Sequence, residues 1–492
     1  MLADLKHTLK HSAVYGLSRV AAKALSFVFI PLYTSMYSAE NYANITLMET
    51  FWQYLLTVCL FGFETTIITH CSQLKIDERK KMLFNFLTIL LFNCAIFMLI
   101  GLSLKQSISH LVFKEGIYSN VIIYGFLICI FESLITLPLC IARINNKPGL
   151  YSLIALSSLF LNFFLQIYFI YFQRATFDYI FIAKFVAPGI VLALCIPYII
   201  SNVKINFNKE KIKDILGFSF FWTVFAILSM FLSSIDRFIL VEFIPKGEVG
   251  IYNMGYNVGS LTNALIVSTF SLAYSGIFYK KINEPNSARY FTKIATYLFF
   301  TMIFVSLVVS LFIPEGIKIF VKNPTLWESI GIIKIILFAN CVYSLYFGFA
   351  FAFLYKKESK LIAQVTFIAL LFNITGNFIF IKYYGIYASA VLSVISYLIF
   401  VIILYRKSRN YYFIKLETGK IVFVSVIYIM LVFFGTIITF DNLIYGIGFK
   451  LLLMVSFFAL LYFGKFFEGA ELYAVKGALN KYLKINTFRK NS

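Results

Sequence analysis

Charge is what this sequence has least of: Asp, Glu, Lys and Arg make up 13% of the residues, about half the share of a typical soluble chain. Acid is scarcer still, with 22 Asp and Glu against 43 Lys and Arg. No stretch matches GxxxxGK[ST], GxGxxG or GxSxG, which excludes a standard phosphate loop, dinucleotide turn or nucleophile elbow. Cysteine spacing is equally uninformative for chemistry. The seven Cys (Cys59, Cys71, Cys94, Cys129, Cys140, Cys195 and Cys341) are odd in number, sit mostly inside apolar runs and form no CxxC, so they read as small packing residues. Of the 4 His, His7 and His11 have a metal-compatible i, i+4 spacing but no third ligand nearby, and an interfacial structural role fits them better. No catalytic residue, metal or cofactor is expected, so any driving force must come from an ion gradient or from the substrate's own gradient.

What the chain does have is apolar surface: 61% of its 492 residues are hydrophobic and 19% aromatic. A bilayer core about 30 Å thick takes roughly 20 helical residues. Runs of that length lie near 13–33, 42–66, 82–104, 117–141, 149–171, 178–200, 215–241, 249–278, 291–313, 328–355, 361–381, 385–405, 417–440 and 443–464. The expected fold is therefore all-α and polytopic, with about fourteen transmembrane helices; twelve with a peripheral last hairpin is the alternative. The first segment carries Arg19 and Lys23 and lacks a small-residue cleavage site, so it reads as a retained helix rather than a signal peptide.

A net charge of +21 would suggest nucleic acid in a soluble protein. Here the cations cluster on alternate loops, as orienting charges do. One set of loops holds Lys75, Arg79, Lys80, Lys81, Lys204 and most of the others, whereas the opposite set holds only Lys105, Lys114, Arg174, Lys246, Lys318, Lys322 and Lys382. The asymmetry places both termini in the cytoplasm and removes nucleic acid as a partner. The longest outside loop, 313–328, is too short for an extracytoplasmic domain, so the functional groups should lie within the membrane.

Two stretches resemble each other. IPLYTSMYSAENYANIT from Ile30 and RFILVEFIPKGEVGIYNM from Arg237 each leave a helix, turn through a loop holding Glu40 or Glu248, and re-enter with Tyr and Asn. They lie one six-helix length apart, which points to parallel repeats with a path between them. The expected organisation is a six-helix bundle over 1–200, a basic linker over 201–214, a second six-helix bundle over 215–405, two further helices over 406–464 and a basic tail over 465–492.

Cations in a membrane span cost about 2.5–3.5 kcal/mol each at the helix centre, so they normally face a cavity or a partner. Six lie in spans: Arg19, Lys23, Lys184, Arg237, Lys334 and Lys450. Arg19 and Lys23 share one helix face with Ser12, Gly16 and Ser26, a face unsuited to lipid. They either line a cavity or pair with Glu49, Glu64 or Glu132. Lys184, Arg237 and Lys334 fall in the outer thirds of their spans, where snorkelling or a local pair also explains them. Asp236 and Arg237 point about 100° apart on a helix and are not automatic partners. Polar stripes at helical spacing run through Tyr42, Thr46, Glu49 and Gln53, through Ser158, Asn162 and Gln166, through Asn253, Asn257 and Ser260, and through Asn373 and Asn377. Such stripes either line a water-filled path or bind helices together. Glu49, Glu132 and Asp236 are the acidic candidates for ion coupling, and Gly255 and Gly259 mark a close helix contact.

The opening GLSRVAAKALSFVFIPLYTSMYSAENYA and the later SSIDRFILVEFIPKGEVGIYNMGYNVGSL resemble the O-antigen and capsule repeat-unit flippases (Wzx type), polysaccharide transporters of the superfamily that includes the MATE exporters and lipid II flippases. The resemblance covers nearly the whole chain. It implies two six-helix bundles around a cationic cavity and alternating access in a bacterial inner membrane. The implied substrate is an undecaprenyl-pyrophosphate-linked oligosaccharide, with membrane lipids and possible glycan polymerase and chain-length regulator partners. Arg19, Lys23, Lys184, Arg237 and Lys334 would receive the diphosphate, and the polar stripes the glycan. A MATE-like cation exporter would favour an acidic cavity, a lipid II flippase differs only in substrate, and a glycan polymerase or acyltransferase would need a larger outside loop or a His/Asp cluster.

Overall fold

The computed structural model describes residues 28–71, 74–145, 147–174, 176–267, 287–355, 359–411, 414–438 and 442–469, with residues 270, 284 and 440 singly between them. Arg19, Lys23, His7 and His11 lie outside the described residues. Among the described residues every regular element is a helix. In chain order they are α1 (28–36), α2 (Ala39–Leu60, with Phe63–Cys71 after a break), α3 (Ile76–Phe113), α4 (Ser119–Ile144), α5 (Pro148–Ile167), α6 (Asp178–Asn202) and α7 (Lys209–Ser234, resuming as Asp236–Phe243). Then come α8 (Lys246–Thr262), α9 (Ser287–Phe320) and α10 (Ile330–Tyr355). The helix Ser359–Ser408 follows, broken at Gly385 into α11 and α12, and α13 (Thr418–Ile437) and α14 (Leu443–Phe463) complete the series.

Ten of the described spans are long and apolar enough to cross a membrane. One of them, Lys360–Ser408, has 49 residues; at 1.5 Å per residue it would run about 74 Å as a single helix, more than twice a bilayer core. It serves as two spans because Gly385, at φ 54° and ψ −139°, turns the chain where a side chain would be strained. With α1, α7 and α8 the series reaches the fourteen expected from hydropathy. The protein is a polytopic all-α membrane protein.

Several boundaries differ from the sequence expectation. α3 continues to Phe113, past the expected end at 104, because its last turns bury Ser109, Val112 and Phe113 against the neighbouring helices. α9 runs through Pro314 to Phe320, and Pro324–Ser329 forms a 3₁₀ turn, so the expected long loop at 313–328 shrinks to 321–323. The second span is interrupted at Phe61 and Gly62, whose φ values of 47° and 67° end one helix before Phe63 starts the next.

Ser38 caps α2 by accepting a hydrogen bond from the Asn41 N–H at 3.2 Å. The helix then runs antiparallel to α7, with Tyr54 Oη 2.7 Å from Ser234 Oγ and Thr66 Oγ1 2.8 Å from Ser219 Oγ. Near its start α2 meets α8 so closely that a Cβ on Gly250 would collide with the Ala39 carbonyl oxygen. α8 in turn packs on α10, where Ile332 and Ile336 occupy the space that side chains at Gly255 and Gly259 would need. This bears out the glycine pair as a close helix contact. A core between the two halves includes Tyr42, Ile45, Phe126, Phe181, Tyr252 and Ile333, and a second gathers α9 through α14 around Phe349, Phe353 and Phe457. Large apolar side chains such as Phe172, Leu194, Ile444 and Phe463 point outward, as a lipid-facing surface requires. All seven cysteines are free and buried.

The loops that hold most of the cations meet at one end of the bundle, where Lys204 Nζ lies 2.7 Å from Asp77 and Lys80 Nζ donates to the Ser201 carbonyl at 2.7 Å. Ser38 marks the other end.

Candidate functional site

α2 brings the polar groups together. Its early face carries Tyr42 and Thr46, both buried, toward α8: Asn253 Nδ2 donates to Thr46 Oγ1 at 2.6 Å, and Asn257 Nδ2 lies 3.4 Å from Tyr42 Oη. Each turn that α2 adds from there presents a charge or hydroxyl to a different neighbour, because residues 46, 49, 50 and 53 spread around two adjoining faces of the helix.

Glu49 sits about 15 Å along α2 from its first residue. It accepts an ion-pair hydrogen bond from Lys184, 9% exposed, which α6 delivers about 9 Å from its own start. Lys184 Nζ also lies 4.5 Å from the Trp52 ring centroid and 5.9 Å from that of Phe181, two aromatic faces that favour a cation. Glu132 on α4 faces the same Lys184 and Trp52. The ammonium is thus ion-paired with Glu49 of α2, with the Glu132 carboxyl of α4 nearby.

Thr50, the next residue of α2, holds the second cation. Arg237 Nη1 donates to Thr50 Oγ1 at 2.7 Å, and the guanidinium carbon lies 4.6 Å from the Tyr256 ring centroid. Arg237 Nε is buried with no hydrogen-bond partner among the described residues. A guanidinium has five N–H donors, so one direction of the fork is left for a further acceptor. Asp236 meets Arg237 through the backbone, the Arg237 N–H donating to Asp236 Oδ1 at 2.9 Å. Its other oxygen accepts from Tyr252 Oη and lies 3.5 Å from Ser393 Oγ on α12. The Tyr256 and Tyr397 hydroxyls, 3.4 Å apart, extend the network toward α12.

The remaining stripes divide. Asn162 Oδ1 accepts from Gln166 Nε2 at 2.8 Å, and Gln166 Oε1 accepts from Tyr33 Oη at 2.5 Å, joining α5 to α1. Asn373 Nδ2 donates to Ser396 Oγ at 3.2 Å, and Asn377 bonds back to Asn373 and accepts from Ser389, so this pair binds α11 to α12. Gln53 is exposed. Lys334 stands apart from Lys184 and Arg237, donating instead to Thr436 Oγ1 of α13 at 2.7 Å.

Sequence reasoning did not find two reciprocal ion pairs at the Ser38 end. Lys114 pairs with Glu242, and its neighbour Glu115 pairs with Lys246, linking the end of α3 to the turn between α7 and α8. The signal was local, a Lys-Glu dipeptide facing Glu242 and Lys246, but its partners lie far along the chain. Among the described residues no group of three His, Cys, Asp or Glu is placed to hold a metal.

The arrangement is two buried cations on opposite halves of the chain, both anchored on α2 between them. Solved structures share the fold. A structure titled "Lipid II flippase MurJ, inward closed conformation" matches with a TM-score of 0.71 at 15% identity, over 92% of this chain and 99% of that one. An inward-facing multidrug resistance MATE family transporter matches with a TM-score of 0.63 at 14% identity, over 80% of this chain and 97% of the other. The Vibrio cholerae MATE transporter VcmN in its bent form gives 0.53 at 13% identity, over 83% and 98%. Comparison with curated protein sequences finds no match. The family model for polysaccharide biosynthesis protein matches residues 8–275, more than half of the chain, and the protein belongs to that family.

Proposed function

We propose that this protein is a flippase that moves undecaprenyl-pyrophosphate-linked oligosaccharide repeat units from the cytoplasmic to the outer leaflet of a bacterial inner membrane, for O-antigen or capsule assembly. The observation that carries the reading is the pair of membrane-embedded cations, Lys184 and Arg237, held on either side of α2 by Glu49 and Thr50. A diphosphate and a glycan cannot cross hydrocarbon unaided, and a diphosphate is best recognised by charge-assisted hydrogen bonds from ammonium and guanidinium groups.

The mechanism follows from how those cations are held. In this state Glu49 occupies Lys184, while Arg237 spends one donor on Thr50 and keeps Nε unpartnered. When the halves separate, the diphosphate takes the place of Glu49 on Lys184 and adds an acceptor at Arg237 Nε. The displaced Glu49 then needs a proton or a cation, which gives ion coupling a place in the cycle, with Glu132 beside it. The hydroxyls and amides of Tyr42, Thr46, Asn253 and Asn257 line the path the glycan would take. Arg19 and Lys23 extend the cationic path toward the cytoplasmic leaflet in this reading, with both termini cytoplasmic and a glycan polymerase and chain-length regulator downstream.

The test is the surface glycan of a strain deleted for this chain. Wild type restores polymerised glycan on a gel, and Lys184→Gln/Arg237→Gln and Arg19→Gln/Lys23→Gln, each present in the membrane at wild-type level, do not. Unchanged glycan in the deletion strain sinks the proposal; growth failure would then favour lipid II transport, and drug sensitivity a MATE-like exporter.

A further inference from the structure

A second charged group lies inside the membrane-spanning helices, among the ends of α9 and α13 and the starts of α10 and α14. Glu315 of α9 pairs with Lys450 of α14, whose Nζ lies 5.7 Å from the Phe312 ring centroid. Lys334 of α10 donates to Thr436 Oγ1 of α13, and at the adjoining Gly435 a Cβ would meet Leu311 of α9 and Leu453 of α14, one helical turn from Glu315 and Lys450. By helical rise the three charges sit about 6–10 Å from the ends of their helices, near the level of lipid headgroups. Lys450 is buried and Glu315 partly exposed, and the same helix ends expose Ile319, Ile437, Ile444 and Tyr445, so the group lies beside a lipid-facing surface and is reached from the Glu315 side.

Two features of this group are unbalanced. Two ammoniums stand beside one carboxylate, which leaves one positive charge in excess at the level where headgroup phosphates lie. Glu315 Oε2, by contrast, is buried and has no hydrogen-bond partner among the described residues. An excess cation beside an excess acceptor is complementary to a ligand that carries an anionic group with a hydrogen-bond donor next to it. A lipid phosphate flanked by a hydroxyl or amine has that chemistry.

We propose that Lys334, Lys450 and Glu315 form a second, lipid-facing site that binds the phosphate of a membrane lipid headgroup. Lys334 takes the phosphate, Lys450 bridges phosphate and Glu315, and Glu315 Oε2 accepts from the headgroup donor. The phosphate has two sources, a bilayer phospholipid or a prenyl-linked diphosphate. The site does not depend on what the α2 cluster carries, so either reading can fail alone.

Native mass spectrometry of the full-length protein in detergent tests this with three probes at equal concentration: phosphatidylglycerol, diacylglycerol and farnesyl diphosphate. Wild type retains a phosphate-bearing probe at an activation energy that strips diacylglycerol. Lys334→Gln, which leaves the Lys450–Glu315 pair intact, cuts that retention about tenfold or more, as expected for one lost charge-assisted hydrogen bond. Lys382→Gln, a cation outside the group, leaves it unchanged. Preference for phosphatidylglycerol, whose glycerol hydroxyls supply the donor for Glu315, assigns the site to bilayer lipid, and preference for farnesyl diphosphate, whose terminal phosphate hydroxyl supplies it, assigns the site to a lipid-linked diphosphate; both support it. Equal retention of diacylglycerol, or retention that Lys334→Gln does not alter or that Lys382→Gln lowers equally, overturns it.

Discussion

Lys184 pairs with Glu49, so removing the cation and removing the carboxylate should have unequal effects. In Glu49→Gln the ammonium keeps Glu132 beside it and the Trp52 face 4.5 Å away, so the loss is about one charge-assisted hydrogen bond, roughly 1.5–3 kcal/mol. In Lys184→Gln the Glu49 carboxylate remains in the membrane interior without its cation, and breaking a buried pair in that sense costs about 3–5 kcal/mol. The double variant Lys184→Gln/Glu49→Gln leaves only Glu132 and should fall short of the sum by about 1–3 kcal/mol. Thermal loss of the monodisperse protein in detergent, followed by size-exclusion chromatography, ranks the three variants against wild type. A Lys184→Gln protein that withstands heat as well as Glu49→Gln does, or strict additivity in the double variant, would refute the Lys184–Glu49 pair. It would also remove the reason for expecting Glu49 to be displaced by substrate.

Reversing the charge of one of the ion pairs at the Ser38 end, with Lys114→Glu, should lower the cross-linking of a cysteine at the end of α3 to one in the turn between α7 and α8 only when Glu242 is unchanged, and adding Glu242→Lys should restore it. Both partners are more than a third exposed, so the effect should be on the position of the halves and not on thermal stability. Gly250→Ala places a Cβ against the Ala39 carbonyl, a backbone atom that cannot move out of the way, and should cost about 1–3 kcal/mol in the same heat assay; an unchanged melting profile would mean that α2 and α8 are not in contact in the membrane. The Lys293 ammonium, 2.5 Å from Glu468 and 3.0 Å from Glu417, holds the Glu468 carboxyl below its usual range, and its hydrogen bond with that of Thr296 outweighs burial to lower Glu417 as well. A carboxylate lowered by folding contributes stability above its unfolded value and loses it as the pH falls through the folded one. Hydrogen exchange in 464–469 should therefore be slow at neutral pH and speed up only below the ordinary carboxylate range; exchange insensitive to acid would exclude the clamp.

Hydropathy made the number of helices legible because each bilayer crossing needs its own apolar run, whatever that run packs against. It could not show where the runs stop. Pro314 looks like a terminator, yet α9 passes through it, since neighbouring helices supply the burial that offsets the lost backbone bond. The break was readable only as a gap at 382–384 between two spans, and the positive φ of Gly385 at its edge shows why so short a connection suffices.

The charged groups were legible as a set but not as pairs. Sequence marks Lys184, Arg237 and Lys334 alike, as cations inside apolar runs, and gives no reason to separate them. Separation comes from helix packing: α6 and α7 flank α2, whereas α10 turns Lys334 toward α13. Glu49 and Thr50 are neighbours in sequence and point to different helices for the same reason that Asp236 and Arg237 do, a rotation of about 100° per residue. One α2 turn can therefore hold a cation from each half of the chain. That geometry ties the two cations to a single helix: on the proposed function, a motion that draws α2 away from α6 or α7 would free one of them, and a diphosphate bridging both would approach through the gap so opened.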